Sequence, residues 1–113
     1  MRILLIKPDE FPIDAEIDGS LEEMQNLVEG HIQAFYPLSD PDVAIICNEE
    51  GKLQNNTLNR ILVDEKGNVI DAIRGTFFLC AAPAGSEEFS SLSEEKINKY
   101  SYVFHYTIVN VSL

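Results

Sequence analysis

Arg74-Gly75-Thr76-Phe77-Phe78-Leu79-Cys80-Ala81-Ala82-Pro83 is an apolar, aromatic-rich run entered through glycine and closed by proline. Aromatic side chains favour strands, and a run this apolar is expected to lie at the centre of a sheet. Upstream, Arg2-Ile3-Leu4-Leu5-Ile6-Lys7 is a second continuous run, stopped by Pro8. Ile13-Asp14-Ala15-Glu16-Ile17-Asp18 alternates apolar with acidic residues, as a half-buried strand does. Residues 31–36 and 43–47 predict two further strands. Asp64-Glu65-Lys66-Gly67-Asn68 is a hairpin signal joining Ile61-Leu62-Val63 to Val69-Ile70. Residues 107–113 alternate and are rich in β-branched side chains, which fits a last strand or an ordered tail.

Two helices complete the pattern. Ser20-Leu21-Glu22-Glu23 is a capping box, in which the serine hydroxyl and Glu23 can each satisfy a backbone N–H of the first turn. Leu21, Met24, Leu27 and Val28 follow at helical spacing, and Gly30 is placed to end the helix in a left-handed conformation. Ser91 or Ser93 can cap a second helix that carries Glu94 and Glu95 in its first turn and Ile97, Tyr100 and Phe104 on one face. The expected fold is α/β of the α+β type: one domain over residues 1–113, with a small mixed or antiparallel sheet of about five or six strands and two helices.

Nineteen Asp and Glu oppose eight Lys and Arg, for a formal charge of −11. The basic residues are scattered, with no arm or stripe to release counterions from a phosphate backbone, so direct nucleic-acid binding is not expected. A field of this sign instead speeds encounter with a basic protein. The apolar run at residues 3–6 is too short for a signal peptide or a membrane span, and Cys47 and Cys80 sit in apolar runs as buried thiols would. The expected compartment is the cytoplasm.

No catalytic signature is present. His31 and His105 lie far apart in ligand-poor surroundings, Asp14, Glu16 and Asp18 lack the glycine and terminal glutamate of a calcium loop, and no serine sits in a nucleophile elbow. Neither metal, cofactor nor enzymatic activity is expected. One polar set stands out: Asn48, Glu49, Glu50 and Lys52 leave one buried strand, and Asn59 and Arg60 enter the next. Brought together by a short connection, they can offer amide, carboxylate and guanidinium groups to one cleft. The same residues can equally serve the fold, with Asn48 and Asn59 bonding turn backbone and Arg60 pairing with a carboxylate.

The run Ile17-Asp18-Gly19-Ser20-Leu21-Glu22-Glu23-Met24-Gln25-Asn26-Leu27-Val28-Glu29-Gly30-His31-Ile32, then Cys47-Asn48-Glu49-Glu50-Gly51-Lys52-Leu53 and Leu58-Asn59-Arg60, resembles the domain of unknown function numbered 3846. Glu29 stands where that pattern commonly has glycine, and Gln33 where it has glutamate. The resemblance implies a small protein of phages and mobile elements of Gram-positive gut bacteria. Its expected role is then a non-catalytic binding protein that antagonises a host defence factor, engaging the basic surface of a host protein through its own acidic surface. The alternative is a binder that sequesters a small nucleotide-like signal near Asn48, Glu49, Glu50, Lys52, Asn59 and Arg60.

Overall fold

The computed structural model describes residues 1–50 and 57–113. Its strands are β1 (Arg2–Ile6), β2 (Ile13–Glu16), β3 (Ile32–Phe35), β4 (Val43–Asn48), β5 (Leu58–Val63), β6 (Val69–Arg74), β7 (Phe77–Ala81) and β8 (Ile108–Asn110), with helices α1 (Leu21–Val28) and α2 (Glu94–Val103). The class is α+β, as expected, but the strands divide between two sheets. Five form an antiparallel sheet in the order β2-β1-β7-β4-β3, and three form a mixed sheet in the order β6-β5-β8, with β8 parallel to β5. The aromatic run, as β7, is the central strand, paired on one side with β1 and on the other with β4.

Alternation along these strands builds two cores. Ile3, Leu5, Ile46, Phe78 and Cys80 pack with Met24 and Val28 of α1 on one face of the larger sheet. Leu4, Ile6, Ile45, Phe77 and Leu79 pack on the other face with Ile97, Tyr100 and Phe104 of α2 and with Leu62, Ile73 and Val109 of the smaller sheet. Both faces of the larger sheet are therefore covered, which is why β1, β4 and β7 are apolar apart from Arg2 and Asn48 at their ends, rather than alternating. Cys47 and Cys80 are buried in different cores, and burial pushes the Cys80 thiol up to about 12.

Ser20 accepts from the Glu23 N–H at 3.1 Å and Ser93 from the Lys96 N–H at 3.2 Å, as caps should. The end of α1 differs from expectation. Glu29, not Gly30, takes the left-handed conformation, at φ 60°, and Gly30 is needed for space instead. A Cβ at Gly30 would lie 2.7 Å from Asn48 Nδ2. Because a side chain in the left-handed region clashes with its own backbone, Glu29→Gly is expected to raise stability by about 1 kcal/mol. Urea denaturation checks this, and an unchanged midpoint would mean that Glu29 carries no strain.

The Asp64 hairpin forms as expected, with Asp64 Oδ1 accepting from Lys66 and Asn68 N–H groups at 2.9 Å each and Gly67 at φ 83°. A further anchor comes from Asp40, ahead of β4. Its carboxylate accepts from Lys96 Nζ at 2.6 Å, Lys99 Nζ at 2.8 Å and the Tyr100 hydroxyl, fastening α2 to the larger sheet. Those donors, Lys96 first, hold the Asp40 carboxyl well below the usual carboxylate range. Burial first and Asp40 second push the Tyr100 hydroxyl up to about 12.

The signs of these shifts give a pH window. Asp40 contributes stability that is present above the ordinary aspartate pKa of about 4 and lost as the pH falls below it. Tyr100 contributes stability that is complete below the ordinary tyrosine pKa of about 10 and lost as the pH rises toward its raised value. Asp40→Asn is expected to lower stability at neutral pH by about 1.5–3 kcal/mol and to flatten the acid limb of a stability-against-pH curve. An acid limb identical to wild type would assign the dependence to other carboxylates.

Candidate functional site

Asn48 ends β4 under the C-terminus of α1. Its Nδ2 donates to the carbonyls of Val28 at 3.0 Å and Glu29 at 3.2 Å, and its Oδ1 accepts the Glu50 N–H at 2.7 Å. The side chain is 6% exposed and satisfies two helix-end carbonyls that no intrahelical donor can reach. Glu49 and Glu50 are exposed beyond it. Lys52 lies outside the described residues.

Asn59 and Arg60 enter β5 at 2% and 3% exposure. Asn59 Nδ2 donates to the Ile6 carbonyl at 3.0 Å and the Gly75 carbonyl at 2.8 Å, tying β1 of one sheet to the strand entrances of the other. Its Oδ1 accepts from an Arg60 terminal nitrogen at 2.7 Å. The guanidinium also reaches the Asn59 carbonyl at 3.3 Å, the Phe104 carbonyl at 3.1 Å and the Glu10 carbonyl at 2.8 Å. It meets oxygens of neutral groups rather than the carboxylate partner considered from sequence. Burial therefore pushes its pKa below the usual value, with Asp9 opposing.

Among the described residues, the sequence-derived set divides between two clefts. Asn48 and Glu49 line a groove of about 380 Å³ with Gln33, Phe35 and residues 71–74. Arg60 lines another, of about 500 Å³, with Asp9, Glu10, Phe11, Ile13, His105, Tyr106 and Thr107. A short connection in sequence does not oblige two strand ends to share a cavity when the strands belong to different sheets.

The second cleft has aromatic walls. Phe11 stacks on His105 with ring centroids 4.5 Å apart, and His105 meets Tyr106 edge-on at 4.6 Å. Phe11 is nevertheless 67% exposed and Tyr106 71%. Arg60 fixes both walls from beneath, because its acceptors Glu10 and Phe104 immediately precede Phe11 and His105. Beside the cleft, the outer face of the smaller sheet carries Ile108, Ile61 and Ala72 side by side through the pairings Ile61↔Ile108 and Ile61↔Ala72. Ile108 is 63% exposed, while Ile61 and Ala72 are half-buried.

Sequence reasoning missed this surface. Phe11, an aromatic residue between Pro8 and Pro12 in a polar turn, was the available signal, as was His105-Tyr106 directly after a helix. Among the described residues, no three His, Cys, Asp or Glu side chains come together to hold a metal, and no helix is long and apolar enough to cross a membrane.

No curated protein and no solved structure matches the chain. The profile of the domain of unknown function (DUF3846) does match it, over residues 1–105, from β1 to the His105 wall of the cleft. With nearly its whole length matched, the chain belongs to the DUF3846 family.

Proposed function

We propose that this domain works without catalysis by binding a protein that presents a basic surface, and that the contact is the outer face of the smaller sheet together with the aromatic cleft. The observation that carries this reading is exposed Ile108 beside half-buried Ile61 and Ala72, together with exposed Tyr106 and Phe11. Clustered apolar and aromatic side chains left in water mark interaction surfaces, and tyrosine is enriched among the residues that dominate binding energy. Electrostatics selects the partner. Arg2, Lys96 and Lys99 are tied to carboxylates and Arg60 is buried, so much of the positive charge is engaged internally while the chain carries −11. A phage or mobile element carrying such a domain would use it to occupy the basic face of a host defence factor.

Sequestration of a nucleotide-like ligand beside Arg60 is less well supported. Four hydrogen bonds to its own chain occupy the guanidinium, and the negative field opposes an anion.

Affinity purification from the native cells, followed by native mass spectrometry, tests the reading. A protein is expected to accompany the wild type and to be lost with Ile108→Asp, whose thermal melt should remain cooperative. Loss of one central apolar contact of this kind weakens binding by about tenfold or more. Retention of the partner by Ile108→Asp, or a small-molecule mass in its place, would overturn it.

A further inference from the structure

Resting on the protein-binding reading above, we infer that the cleft lined by Phe11, His105 and Tyr106 receives an arginine side chain of the partner, laid on the exposed rings and faced by the Asp9 and Glu10 carboxylates.

The groups lining this cleft divide by what they can still offer a ligand. Among the described residues Arg60 is the arginine or lysine that lines it, but it is 3% exposed and its nitrogens are directed at the carbonyls of Glu10, Asn59 and Phe104 and at the Asn59 amide. Asp9 and Glu10 are exposed, and so are Phe11, His105 and Tyr106. What remains available is therefore carboxylate oxygen and aromatic face, beside the Ile13 side chain and the Thr107 hydroxyl. Those two chemistries together recognise a cation: the ring quadrupole attracts it and the carboxylates accept its N–H groups.

Arginine suits the site better than lysine. Its guanidinium is planar, weakly hydrated and able to stack on a ring while donating from its edge, whereas an ammonium keeps its water in an open cleft. The cleft is about 500 Å³, ample for one side chain reaching in from a docked surface. It adjoins β8, whose Ile108 belongs to the apolar row, so one partner could cover the row and insert the side chain at the same time. The overall charge of −11 would draw such a partner in.

Nitrogen–proton NMR titration of the whole chain tests this with three probes: acetyl-Gly-Arg-Gly-Arg-Gly-amide, the same peptide with citrulline for arginine, and benzoate. The arginine peptide is expected to shift the amides of residues 9–11 and 105–107 saturably, and the citrulline peptide, which keeps the shape without the charge, to leave them in place. Tyr106→Ala and Glu10→Gln should each weaken the arginine peptide about fivefold or more, since each removes one of the two recognising chemistries. Glu10→Gln leaves the backbone carbonyl that Arg60 uses.

Equal shifts from the citrulline peptide, shifts spread evenly over the acidic surface, or saturation of the cleft by benzoate would overturn the inference, the last by making Arg60 an anion site. If Ile108→Asp abolishes partner capture while the arginine peptide leaves the cleft unmoved, protein binding survives and the arginine site fails. If the peptide saturates the cleft while partner capture ignores Ile108→Asp, the sheet-face reading fails instead.

Discussion

Arg60→Met is expected to destabilise the domain by about 3–5 kcal/mol, a large part of the stability of a small domain. Methionine can fill much of the volume of the arginine stem but supplies no donors. The Glu10 and Phe104 carbonyls and the Asn59 side-chain oxygen would each lose a partner in a region where Asn59 and Arg60 are almost fully buried. Removing a buried cation returns some desolvation energy, which keeps the figure below the sum of three orphaned acceptors at about 1–3 kcal/mol each. Arg60→Lys should recover only part of the loss, because an ammonium cannot reproduce a planar fork aimed at four separate oxygens. Urea denaturation followed by circular dichroism reads the effect. A variant as stable as wild type that no longer binds its partner would show that Arg60 acts by contact and not by holding the cleft walls.

Phe104→Ala is expected to cost about 3–5 kcal/mol, in the range for truncating a buried phenylalanine, and to lower the melting temperature by roughly 10–20 °C. Phe104 is fully buried, packed edge-on to Phe77 at 5.9 Å and tilted against Tyr100 at 6.3 Å, so the cavity would open where α2 meets both sheets. The same residue gives its carbonyl to Arg60 and precedes His105, so partner binding should weaken even below the melting temperature. Both variants keep the backbone carbonyl, so Phe104→Leu, which also keeps most of the side-chain volume, should restore binding together with much of the stability. A melting temperature within a few degrees of wild type for Phe104→Ala would mean that α2 is anchored chiefly by Asp40.

Local signals carried the elements and stopped short of their assembly. Ser20 and Ser93 cap the helices where their sequences place them, and the Asp64 turn makes the hairpin, because each depends on residues only a few positions apart. The aromatic run of β7 marked the sheet centre because a strand with neighbours on both edges and packing on both faces has little room for polar side chains. The division into two sheets was not legible, since β8 joins β5 in a parallel pairing that no turn announces. The Asp40 anchor was hidden for a like reason: Lys96 and Lys99 meet it from a helix far along the chain.

At the site, Asn48, Asn59 and Arg60 stood out as polar groups beside buried strands, and that polarity is used inside the fold. It satisfies the end of α1, joins the two sheets and holds the cleft walls. The aromatic cleft itself is assembled from residues near the two ends of the chain, and only the folded backbone brings Phe11 onto His105.

The position of β7 between β1 and β4 also sets an order of events during synthesis. The β1–β2 and β3–β4 pairs are each local in sequence, yet each is a two-stranded ribbon with one edge awaiting β7. Such ribbons are marginal in water on their own. Until residues 77–81 leave the ribosome, the nascent chain holds two half-sheets whose exposed apolar edges can pair with other chains as readily as with each other. Arrival of one five-residue strand then closes the larger sheet in a single late step, so a pause in translation just before Phe77 would lengthen the interval in which the protein is most prone to aggregate.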